Sequence, residues 1–152
     1  MGKIASKILA DLPEAIRTKD PNKVEAIKKL DDKVDILEDA IFNYLSKIRQ
    51  QSLTEDQSKI HQDLMTATVN LETLADIIET ELSILIKKFI NKDRTVSEAT
   101  RKIFADLHKE VLHTLNLAIQ SICENDQQVA TEVTIAKHDY MILFLHNPLE
   151  HT

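Results

Sequence analysis

Apolar residues recur along this chain at alternating intervals of three and four positions, the repeat of one face of an α-helix. The first long run is Val24, Ile27, Leu30, Val34, Leu37, Ile41, Leu45 and Ile48, the second Ile60, Leu64, Leu71, Leu74, Ile78, Leu82, Leu85 and Phe89. A third, Ile103, Leu107, Val111, Leu115, Ala118 and Ile122, keeps the same rhythm. Polar residues fill the other positions, so each stretch reads as an amphipathic helix with one seam to bury. Tyr140 to Leu145 breaks the pattern, being apolar on every side, and such a segment needs cover all round from a partner chain or a further element.

Helix boundaries follow from the punctuation. Asp20-Pro21 pairs a capping carboxylate with proline at the first helical position. Thr54 caps a second start with acids in its first turn, and Thr95 with Glu98 reads as a capping box. Asn125-Asp126 marks a break, and Asn147-Pro148 ends the last element. Five helices are predicted, at roughly 3–19, 21–51, 55–90, 96–124 and 127–146, with Pro13 either kinking the first or marking its start. Short connections between long helices make neighbours antiparallel, so the fold class is an all-α bundle over 1–152, taken as one domain. A weak internal repeat runs through it. Leu12-Pro-Glu-Ala-Ile16 precedes Asp20-Pro-Asn-Lys-Val24 much as Leu115-Asn-Leu-Ala-Ile119 precedes Asn125-Asp-Gln-Gln-Val129. Read as two three-helix units, the first is complete and the second lacks its third helix.

Composition strengthens the helical reading, with a single glycine and no tryptophan in 152 residues. The formal charge of −6 opposes polyanion binding, so no nucleic-acid partner is expected. The local basic surplus of Lys87, Lys88, Lys92 and Arg94 falls where cations complement a helix C-terminus. Cys123 is the sole cysteine, which rules out an internal disulfide and a thiolate metal cluster and fits a reducing, cytoplasmic setting. No stretch has the apolar length of a signal peptide, and Glu79, Glu81, Lys87 and Lys88 interrupt the apolar 77–90 run short of the roughly 20 residues a bilayer span needs. A soluble chain is expected.

The candidate chemistry lies in two acidic pairs at helical spacing, Asp31 with Asp35 and Glu72 with Asp76. Residues i and i+4 share a face. A hairpin turning near Ser52 to Thr54 brings Asp31 and Asp35 level with residues close to 70 to 74 on the next helix. Four carboxylates gathered in this way need a cation or protons to offset their repulsion. Oxygen ligands alone suit a hard divalent ion such as magnesium, calcium or manganese, or ferric iron. The competing reading makes the same acids a solvated flank beside an apolar seam. Glu110 and His113 have the Glu-x-x-His spacing of di-iron bundles, but such sites need two of these motifs and only one occurs here. No phosphate loop, nucleophile elbow or His-Glu-x-x-His motif exists, so no enzyme is expected.

Val34-Asp35-Ile-Leu-Glu38 followed by Tyr44-Leu45-Ser46, and Asn70-Leu-Glu72-Thr-Leu-Ala-Asp76, resemble the PhoU family, in particular the PhoU-like domain that follows the membrane part of bacterial sodium/phosphate cotransporters. The second segment is similar to that family's Leu-Glu-x-Ile-Gly-Asp signature, with Ala75 in place of the glycine. The resemblance implies tandem three-helix bundles, control of phosphate uptake at the inner face of the membrane, contact with the transport machinery, and in some members a metal cluster on acidic pairs that match Asp31, Asp35, Glu72 and Asp76. The second unit offers Ile135 and Asp139 in place of a complete pair, so no second cluster is expected within one chain. The expected function is a non-catalytic regulatory or accessory module of phosphate uptake, homodimeric and organised by a metal ion. A generic helical interaction scaffold is the alternative, and a di-iron carboxylate bundle the third reading.

Overall fold

The computed structural model describes residues 1–90 and 97–146, without the side chains of Ser83, Ile86, Lys87, Phe89, Ile90 and 137–146. The five helices of the described residues are α1 (Gly2–Thr18), α2 (Pro21–Arg49), α3 (Glu55–Ile90), α4 (Glu98–Glu124) and α5 (Gln127–His146). They divide into two compact units, Met1–Val96 and Ser97–Thr152. In the first, α1, α2 and α3 each pack against the other two; in the second, α4 packs against α5.

The corners are built from side chains the sequence supplies at the right places. Lys19 ends α1 in the left-handed region at φ 51°, its N–H reaching the Ala15 carbonyl at 3.0 Å. Asp20 then starts α2 by accepting from the Asn22 N–H at 2.9 Å, and Pro21 occupies the first turn, where no N–H is needed. Glu14 ties the corner together. Its carboxylate takes Arg17 Nη2 and, from across the turn, Lys23 Nζ, both at 2.7 Å, and the Arg17 hydrogen bond more than the Lys23 one holds its pKa at about 2. Asn125 and Asp126 repeat the device between α4 and α5: Asn125 is left-handed at φ 51°, and the Asp126 carboxylate accepts from Gln128 and Val129 N–H at 2.8 and 3.2 Å. Pro13 lies inside α1, so it does not mark that helix's start.

Two other starts differ in detail from the sequence reading. Thr54 Oγ1 accepts from the Gln57 N–H at 3.2 Å while Gln57 Oε1 accepts from the Thr54 N–H at 3.0 Å, a reciprocal box in which Gln57 has the role of the usual glutamate. Thr54→Ala is expected to lower stability by about 1 kcal/mol in urea melts followed by circular dichroism, because two helix-end donors are satisfied through that pair. For α4 the cap is Ser97, which accepts from the Thr100 N–H at 3.2 Å; the expected Thr95 box lies outside the described residues.

The core of the first unit is Ala5, Ile8, Leu9 and Ala15 from α1, Ile27, Val34 and Leu45 from α2, and Ala75, Ile78 and Leu82 from α3. The α2 stripe is buried or half-buried at all eight predicted positions. The α3 stripe is not. Ile60 is 54% exposed and Leu64 38%, while His61 and Thr68 are buried in their place. The reason is length. At about 1.5 Å per residue, the 17 residues of α1 span little more than half of α2, so α1 reaches α2 roughly as far as Leu37. Beyond that point, within this unit, α2 and α3 pair with each other alone. There His61 Nε2 donates to the Leu45 carbonyl at 2.9 Å, and the Thr68 hydroxyl donates back to the Leu64 carbonyl at 2.8 Å, so both buried polar side chains are satisfied.

In the second unit no residue of α4 is fully buried. Ile103, Phe104, Val111 and Ile122 are exposed, so the predicted α4 seam is only half used. Two helices bury less than three. The side chains of the all-apolar Tyr140–Leu145 segment and of Lys87, and the whole of Lys92 and Arg94, lie outside the described residues.

Candidate functional site: an acidic face on the α2 and α3 pair

The antiparallel register of α2 and α3 is fixed by two interhelix contacts. Near the open end Lys28 Nζ pairs with Glu79 Oε1 at 2.6 Å, and near the turn His61 meets the Leu45 carbonyl. Asp31 lies one turn after Lys28 and Asp76 one turn before Glu79. The four predicted carboxylates therefore belong to one side of the helix pair.

Electrostatics records which acids sense each other. Asp31 has its pKa pushed up to about 6, first by burial and then by the charges of Asp35, Glu79, Asp76 and Asp32. Its Oδ1 is buried and has no hydrogen-bond partner. Glu38 is also raised, by burial first and then by Glu72, Asp35 and Asp39. The meeting is displaced along α3 from the expected 70–74 level: Asp31 senses Asp76 and Glu79, whereas Glu72 acts on Glu38. Lys28 is held more firmly protonated, mainly by its hydrogen bond to Glu79, and is the cation that closes this face at one end.

Two participants, Glu38 and Glu79, escaped the sequence reading. The signal was present, because Asp31, Asp35 and Glu38 repeat the four-then-three spacing of Glu72, Asp76 and Glu79, and three positions at that spacing share a helix face. Ala75, between Glu72 and Asp76, is fully buried, so the α3 seam accommodates the methyl that replaces the signature glycine. Local hydroxyls also touch these acids, Thr73 Oγ1 donating to Glu72 Oε2 and Thr80 Oγ1 to Asp76 Oδ1, both at 3.3 Å. Asp35 and Asp76 are exposed and Asp31 and Glu72 half-buried. Among the described residues no group of three or more Asp, Glu, His or Cys side chains is gathered closely enough to hold an ion, so these acids share a face without closing around a centre. The orphaned Asp31 oxygen and the mutual repulsion leave the face short of positive charge. In the second unit Glu110 is half-buried and His113 exposed, so the lone Glu-x-x-His motif does not turn both donors inward.

The PhoU domain family matches residues 1–81, more than half of the chain, including every acid of the face from Asp31 to Glu79. This chain belongs to the PhoU domain family. Its PhoU relatives include YjbB of Salmonella typhimurium, named for inorganic phosphate export, which is 30% identical over 124 residues covering 82% of this chain. The YjbB proteins of Escherichia coli and Shigella flexneri, with the same name, are 27% identical over the same length. The chain spans 23% of the length of these relatives. No solved structure gives a significant match. Among the described residues of this PhoU chain no helix is long and apolar enough to cross a membrane.

Proposed function

We propose that the chain is a non-catalytic regulatory or accessory module of phosphate transport, acting as a homodimer at the cytoplasmic face of a membrane part of the sodium/phosphate cotransporter kind. The observation that carries this reading is the PhoU match over residues 1–81, joined to similarity across 82% of the chain with proteins named for phosphate export. Those relatives are roughly three and a half times as long, which leaves ample length for a transporting part to which a helical module is attached or docks. A control element of this kind acts by contact and serves either direction of flow. If it does so here, loss of the chain from its host changes the flux of radiolabelled phosphate, whereas unchanged flux argues for another role.

The acidic face is the second part of the proposal. Asp31, Asp35, Glu72 and Asp76 would hold a hard divalent or ferric ion, with Glu38 and Glu79 beside them. When bound, such an ion supplies the positive charge that joins α2 to α3 and gives phosphate an attraction that bare carboxylates deny it. The support is the unpartnered Asp31 oxygen and its raised proton affinity. Protein purified without chelator or affinity metal is expected to carry stoichiometric metal by plasma mass spectrometry. The Asp35→Ala, Asp76→Ala double variant should lose it while keeping its helical circular dichroism. Equal metal content in the two proteins would sink the assignment.

One observation favours a plain interaction scaffold as the second reading: Phe104 is 60% exposed on a helix that buries no residue fully. A scaffold keeps its melting temperature when treated with chelator, whereas a metal-organised bundle melts lower once stripped.

A further inference from the structure

The α2 and α3 pair has two unlike sides. One is the acidic face. The other is covered by α1 near the open end and continues, past the reach of α1, as an apolar strip of Ile41 and Ile48 from α2 and Ile60 and Leu64 from α3. Tyr44, 65% exposed, flanks the strip on α2. Asp56 and Asp63 border it on α3, at three- and four-residue spacing from Ile60, and Lys47 borders it on α2, one turn from Tyr44. Among the described residues neither Lys47 nor Asp63 has an ion-pair partner.

The geometry points to a second copy of this chain as the occupant of that strip, the two hairpin ends closing into a four-helix bundle. The inference rests on the homodimeric reading above and gives that dimer a surface. Self-complementarity favours a copy over an unrelated partner. A two-fold axis running along the hairpin places α2 of one copy on α3 of the other at the same height, since an isologous contact pairs each patch with its counterpart. The register that brings Leu45 to His61 puts Tyr44 and Lys47 level with Asp63 and Ile60. The phenol and ammonium donors on one rim then meet the acidic rim opposite, twice per dimer, with the apolar strips between them. Pairing through the other side would press two sets of carboxylates together. The bare length is about 18 Å, some three helical turns, enough for a packed four-helix segment.

The test is sedimentation of the full chain over a range of concentrations. The wild type is expected to dimerise, Leu64→Glu to sediment as a monomer with unchanged helicity, and Lys47→Glu to weaken the dimer by about tenfold at low salt. Lys47→Glu combined with Asp63→Lys should restore it, since the exchanged charges still meet. Both charge variants are at the surface, so they report even if Leu64→Glu fails to fold. A dimer indifferent to all these changes would overturn the surface and leave the homodimeric reading intact. A monomeric wild type would overturn both.

Discussion

Truncating Ile8 to alanine is expected to lower the stability of the first unit by about 2–5 kcal/mol. Ile8 is fully buried, on the helix that packs against both α2 and α3. Removing three carbons there takes away apolar burial and leaves a cavity that neighbours on three separate helices cannot easily collapse to fill. The native contribution of α1 is concentrated in a few side chains, Ala5, Ile8, Leu9 and Ala15, so the loss falls on a short interface. Ile36 is the control. It is 67% exposed on the outer side of α2, and its alanine variant should change stability by no more than about 0.5 kcal/mol. Urea unfolding followed by circular dichroism reads both. A loss below about 1 kcal/mol for Ile8→Ala would mean that α1 is not seated as described.

Replacing Asp31 by asparagine should do the reverse, and only above acidic pH. The carboxyl has an ordinary value of 3.8 and is raised to about 6 in the folded chain. The unfolded chain therefore gives up this proton first as pH rises, and ionisation works against folding. The penalty is absent below the ordinary value, grows between it and about 6, and is complete above. Because the group is only partly buried and solvent screens it, the full-shift energy is discounted to about 1–2 kcal/mol. In protein stripped of metal with chelator, Asp31→Asn should stabilise the fold by that amount near pH 8 and by almost nothing near pH 4. Equal effects at both pH values would show that the repulsion is not felt. Glu38 acts in the same direction. Glu14 acts oppositely and in a lower window: its carboxyl is held at about 2, so its contribution is present above 4.5 and lost as pH falls towards 2.

Much of this was legible in the residues. Helix bounds came within two residues because the chain caps its helices with recognisable pairs, Asp20-Pro21 and Asn125-Asp126, and because a single glycine leaves few places to break. The α2 seam was read correctly since α3 and α1 between them line it. Ile60 and Leu64 were misassigned for a reason no local pattern contains: whether an apolar position is buried depends on how far a different helix reaches. The same gap explains α4, whose periodic stripe requires two neighbours to be filled, while the second unit offers α5. At the acidic face, the i, i+4 pairs identified the side of the helices that matters. Glu38 and Glu79 lie one step further along the same repeat, and the level of contact is set by the Lys28 to Glu79 pair rather than by the turn alone.

The two-residue corner at Lys19 and Asp20 bears on how the first unit forms. It joins α1 to α2 with no slack, and a few residues around Thr54 do the same for α2 and α3. Each hairpin can therefore zip from its own corner, through partners near in sequence, before any distant part of the chain has to be found. The contact of α1 with α3 is the one pairing that must wait, and by then α2 already holds both ends of it. Chains arranged in this order lose little entropy in the search and fold quickly for their size.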